Sequence, residues 1–164
     1  MTPVFDGREG AWSAGEKAMS VMTRYRLKTV ASGANAGLWV SLGFTSSLQR
    51  KDVLHIVSGD QATAAGARSR ARLYVERFDQ LYSCNGGGEL VRVRPTSVEV
   101  HLTAKAEHLL SFESGVLLFE FDRHFPGYAE AVRTFRAMAR VNQRVEIQGS
   151  PPEPNSRGRR RTRG

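Results

Sequence analysis

The chain has 164 residues and a mass of 18.1 kDa, enough for one well-filled core and too little for two. Apolar residues make up 40% and charged residues 24%, which excludes a fibrous or low-complexity chain, and no apolar run approaches the ~18 residues of a membrane span. The net charge of +8 is unevenly placed: residues 22–148 carry 17 basic and 12 acidic groups, while the last 16 residues carry five arginines and one glutamate.

Residues 1–21 mix Gly, Ser and Ala without a period and read as a disordered or vector-derived extension, with Met22 a plausible alternative start. They lack a basic patch followed by an apolar stretch, so they do not read as a signal peptide. Together with the single thiol of Cys84, this fits a cytoplasmic address. Residues 22–148 form the expected single domain. Its first strands are Tyr25–Val30, Leu38–Phe44 and Val53–Val57, each bounded by Gly, Ser, Asn or Asp. Ala62–Arg70 reads as a loop or a weak helix. Arg72–Ser83 alternates Leu73 and Val75 with Tyr74 and Glu76 and predicts a long strand. Asn85-Gly86-Gly87-Gly88 predicts a tight turn, because consecutive glycines supply positive φ.

After that turn, Val91 and Val93 alternate with Arg92 and Arg94, and Val98, Val100 and Leu102 alternate with Glu99 and His101. The pattern predicts an antiparallel hairpin in which Arg92 and Arg94 face Glu99 as a solvated ion-pair ladder worth a few tenths of a kcal/mol per pair. Thr103 caps a short helix to Leu110, and Val116–Phe121 is the last apolar strand. Tyr128, Val132, Phe135 and Ala139 fall at i, i+4, i+7 and i+11, the stripe of a packed helix. The expected fold is therefore α+β: an antiparallel meander with a C-terminal helix on one face and a short helix between late strands. Such a sheet leaves an edge strand open to homodimerisation. Residues 149–164, rich in Arg, Pro and Gly with no large apolar side chain, predict a disordered tail.

Groups able to do chemistry are scattered. His55, His101, His108 and His124 never fall at i, i+4 and none adjoins the cysteine, so neither a metal site nor a cofactor is expected. Cys84 with His101 as its base would make a nucleophile, but no motif surrounds the cysteine. The triple glycine is followed by no lysine-serine or lysine-threonine pair, so it is not a phosphate loop. Arg133, Arg136 and Arg140 repeat at i, i+3 and i+7, and Arg144 extends the series if the helix continues. With the arginine tail they could follow a phosphate backbone, although the same pattern fits a solvated helix face.

Leu48-Gln49-Arg50, the run Leu73-Tyr74-Val75-Glu76-Arg77-Phe78-Asp79-Gln80 and the Gly86–Gly88 segment resemble the immunity protein 10 family of bacterial polymorphic-toxin systems. The likeness extends over roughly residues 22–141. It implies a non-enzymatic protein that binds a cognate toxin domain and blocks it sterically. Contact is expected in the strand-and-turn region, at Glu76, Asp79, Gln80, Tyr82 and Glu89, partly because loops and wet sheet faces carry binding; Glu76 and Gln80 could equally be structural, holding the hairpin. The basic charge departs from the acidic surface expected against a basic nuclease. The reading of a different class is a small nucleic-acid-binding protein that uses Arg133, Arg136, Arg140, Arg144 and the tail.

Overall fold

A computed structural model describes residues 21–59 and 67–149. In chain order these form β1 (Met22–Gly33), β2 (Leu38–Thr45), β3 (Lys51–Ser58), β4 (Leu73–Arg77), β5 (Ser83–Arg94), β6 (Ser97–Leu102), α1 (Ala104–Leu109), β7 (Val116–Glu120), α2 (Tyr128–Val141) and β8 (Val145–Ile147). The expected extensions, 1–21 and 149–164, lie outside the described residues except for Val21 and Gly149.

The α+β expectation holds, but the sheet is not an open meander. Its order is β4-β3-β2-β1-β7-β6-β5, and β5 pairs back onto β4, so seven strands close into a barrel. The β1–β7 seam is parallel, with Met22 beside Val116 and Arg26 beside Glu120. Closure satisfies the backbone groups that an open sheet leaves at its edges. The added strand β8 runs parallel to β5 over Val91–Val93. Strand alternation sets the two faces: Val40, Leu42 and Phe44 of β2 point into the barrel with Leu54 and Ile56 of β3.

Each mouth is closed by a helix. At one end, α1 contributes buried Ala106, followed by buried Leu110 and Phe112, with Thr103 Oγ1 accepting from Ala106 N at 3.1 Å as its cap. Phe112 there joins the rings of Tyr25, Phe44 and Phe119. At the other end, α2 buries Tyr128, Val132, Phe135 and Met138. The Tyr128 ring lies 4.2 Å from that of Phe121, and its hydroxyl donates to Arg94 O at 2.6 Å. The stripe read from sequence is therefore correct, but it covers an open barrel end rather than a sheet face.

Two corrections bear on function. The long strand expected over Arg72–Ser83 stops at Arg77, and the chain reverses at residues 78–82. The expected glycine turn lies inside strand β5, paired to β4 and then to β6. Gly86 does take the expected positive φ, 71°, while Gly87 and Gly88 serve close approach: a Cβ on Gly87 would lie 2.7 Å from Ala106 Cβ and 2.8 Å from Val75 Cγ2.

Candidate functional site

The barrel mouth beside α1 carries a cleft of about 490 Å³ whose walls come from three loops. The β2–β3 turn supplies Leu48 and Arg50, the β4–β5 turn Phe78 and Tyr82, and the loop after α1 Ser111 and Glu113. Its floor is Arg77, the last residue of β4. The guanidinium donates from Nε to Asp52 Oδ2 at 2.8 Å and from Nη1 to the carbonyls of Leu110 and Ser111 at 2.9 and 2.7 Å. It also lies 4.2 Å over the Phe112 ring. One largely buried cation thus ties three segments together.

The rim is apolar and exposed. Leu48 is 75% exposed, Phe78 63%, Leu81 88% and Tyr82 48%. Gln49, Phe78 and Ser111, one residue from each loop, have φ of 58°, 65° and 54°. A bulky residue such as Phe at positive φ is uncommon and costs about 1–2 kcal/mol. The local hydrogen bonds explain how it is held: Phe78 N donates to Val53 O at 2.9 Å, and Asp79 Oδ1 and O accept from Leu81 N and Tyr82 N at 2.9 and 3.0 Å. The backbone is fixed so that the Phe78 ring points away from the core. Arg50 and Lys51, both exposed and without an ion pair among the described residues, add cations to this rim.

The five residues expected at a toxin contact do not form one patch. Tyr82 lines this cleft, and Asp79 and Gln80 belong to the same turn, with Gln80 O accepting from Ser83 Oγ at 3.0 Å. Glu76 lies on the outer face of β4, where it accepts from Tyr74 Oη at 2.8 Å. Glu89 is on β5, ion-paired to Arg72 at 3.2 Å, and lines a different cleft. Sequence reading missed Leu48, Phe78, Leu81 and the Arg77–Asp52 pair. The available signal was the broken alternation after Arg77, with Asp79 as a turn former.

The arginine series also divides. Arg133, Arg136 and Arg140 are exposed along α2, and only Arg133 has an ionic partner among the described residues, Glu130 at 3.5 Å. The helix ends at Val141, so Arg144 does not continue the stripe. It turns toward the barrel and donates to Arg70 O and Glu89 O at 3.1 and 3.3 Å.

The expected solvated ladder is instead a cluster of half-exposed cations around one buried acid. Glu99 is 5% exposed and lies 3.1 Å from Arg92 Nη1, 2.6 Å from Arg94 Nη1 and 2.5 Å from His101 Nε2. Burial alone would raise its pKa, but hydrogen bonds and charge from His101 and Arg94 outweigh it and bring the carboxyl down to about 2.

Cys84 is buried on β5, not exposed at a turn, and His101 is committed to Glu99. Ser41 Oγ lies 2.5 Å from His55 Nδ1 on the outer faces of β2 and β3, but no carboxylate hydrogen-bonds that ring among the described residues. No group of three or more His, Cys, Asp or Glu among the described residues could hold a metal, and no helix there is long and apolar enough to cross a membrane. No family model matches the chain, and comparison with the curated proteins and with the solved structures likewise finds no match.

Proposed function

We propose that the chain is a non-enzymatic binding protein that neutralises a cognate bacterial toxin domain by covering it. The observation that carries this reading is exposed Leu48, Phe78 and Tyr82 lining a pre-shaped cleft, with exposed Leu81 in the same turn as Phe78 and Tyr82. Exposed aromatic and aliphatic side chains held rigidly at a mouth are what a protein interface requires. The toxin surface that fits is apolar at its centre and acidic beside Arg50 and Lys51. Blocking needs no catalytic group on this chain, and the cytoplasm is where such a toxin would be met. The test is co-expression with the protein encoded immediately upstream: that protein arrests growth alone, and the intact chain restores growth and co-purifies with it. Phe78→Asp, which places a charge at the rim, removes both effects. An upstream protein without toxicity, or rescue unaffected by Phe78→Asp, overturns the reading.

A second reading, nucleic-acid binding along α2, is favoured by Arg136 and Arg140, which lack ionic partners among the described residues. It requires affinity that falls steeply with salt and weakens when both arginines are replaced by glutamine.

A further inference from the structure

The segment Arg68–Arg72 runs extended beside the end of α2, bridged at Ser69 and Asn142. Asn142 is buried and pins the two together: its Nδ2 donates to Ala71 O at 3.0 Å and its Oδ1 accepts from Arg144 N at 2.7 Å. Between this pair and strands β5 and β6 lies a cleft of about 410 Å³ lined by Arg70, Glu89, Leu90, His101, Gln143 and Arg144.

The charges in this cleft do not cancel. Its one carboxylate, Glu89, is paired with Arg72 at 3.2 Å. The acid behind His101, Glu99, already holds Arg92 and Arg94. Arg144 donates only to the backbone carbonyls of Arg70 and Glu89, which fix its guanidinium without neutralising it. The Arg70 side chain has no partner among the described residues. Two guanidiniums without an ion pair among the described residues therefore line one cleft whose walls are already braced. Guanidinium groups match the oxygens of a phosphate, and a braced wall lowers the ordering cost of binding.

We infer that this cleft binds a phosphate group, carried by a nucleotide or by a nucleic-acid backbone, through Arg70 and Arg144, with Leu90 beneath the attached organic part. This site is separate from the apolar mouth and does not depend on the toxin reading.

The test titrates the full chain at low salt with inorganic phosphate, a nucleoside 5′-monophosphate and a short single-stranded oligonucleotide, followed by calorimetry. Saturable binding of at least one probe is expected, weakened about tenfold by Arg70→Gln and unchanged by Arg24→Gln on the opposite seam. Because the Arg70 side chain has no partner among the described residues, its variant should keep the parent melting temperature, whereas Arg144→Gln tests the same site at some cost to the fold. Equal binding of phosphate and mononucleotide would make the phosphate group alone the ligand. Tighter, steeply salt-dependent binding of the oligonucleotide would make the backbone its source. No saturation by any probe up to about 10 mM, or binding that ignores Arg70→Gln, overturns the inference.

Discussion

Arg77 and Asp52 form the structural hinge of the candidate interface: Nη2 and Nε of the arginine lie 2.7 and 2.8 Å from the same carboxylate oxygen, and both side chains are largely buried. The pair joins the start of β3 to the end of β4, while Nη1 reaches two carbonyls beyond α1. Removing Arg77 leaves the largely buried Asp52 carboxylate without its cation and the Leu110 carbonyl without its donor. Arg77→Ala is expected to lower stability by about 3–5 kcal/mol, measured by urea denaturation. It should also weaken toxin binding, since the loops that carry Leu48 and Phe78 lose their common anchor.

Phe78 should show the opposite relation between stability and binding. Its backbone sits at φ 65° while its ring is mostly exposed, so the residue contributes strain and little burial. Glycine takes that conformation without steric penalty, and its entropic cost offsets only part of the relieved strain. Phe78→Gly is therefore expected to raise stability by about 1 kcal/mol in denaturant titration while reducing affinity for the toxin. A loss of stability would mean that the ring packs more than its exposure indicates.

How far the sequence announced this site depends on the kind of signal. Alternation located the hydrophobic positions of most strands, and the 128–139 stripe located the buried face of α2, because both follow directly from side-chain direction along a regular backbone. Closure of the barrel was not legible: the β4–β5 and β1–β7 pairings join segments by register and curvature, which leave no local period. The rim was read only in part, through Tyr82, because exposed apolar residues in a turn look like strand positions whose alternation has slipped.

Gly87 illustrates that limit and gives a direct test of it. Three glycines in succession ordinarily signal reversal, yet here Gly87 and Gly88 let β5 pass close to α1 and β4. A Cβ at Gly87 would lie within 2.8 Å of Ala106, Cys84 and Val75 side chains. Gly87→Ala should cost about 1–3 kcal/mol through overpacking. Gly59→Ala, with nothing among the described residues within 4 Å of the added carbon, should stay within about 0.5 kcal/mol. Equal melting temperatures for the two variants would refute the close packing at the centre of β5.

Glu99 gives the protein a defined response to acid. Its carboxyl, at about 2 in the folded state against 4.5 ordinarily, is lowered on folding. A lowered acid contributes stability that is fully present above the unfolded value and lost as pH falls toward the folded one. The contribution, on the order of 3 kcal/mol, should disappear between about pH 5 and pH 2. Glu99→Gln should be less stable than the parent at pH 7 and lose less on acidification, and denaturation at pH 7, 4 and 2 would show it. Parallel losses in parent and variant would mean that other carboxylates govern the acid response.

The arginines of α2 separate the two functional readings. Arg136 and Arg140 point to solvent from a helix whose opposite face closes the barrel, so replacing them leaves the packing of Val132, Phe135 and Met138 untouched. If the apolar mouth beside α1 binds the toxin, the stripe lies at the other end of the barrel from the contact. Arg136→Gln with Arg140→Gln should then leave growth rescue and melting temperature unchanged. If the stripe follows a nucleic-acid backbone, the same change lowers oligonucleotide affinity at every sequence tested, and each lost phosphate contact reduces the slope of log K against log salt by about 0.7 for single strands. Phe78→Asp has the converse profile, affecting rescue and not the salt slope. The two variants measured side by side therefore assign function to one mouth of the barrel or the other.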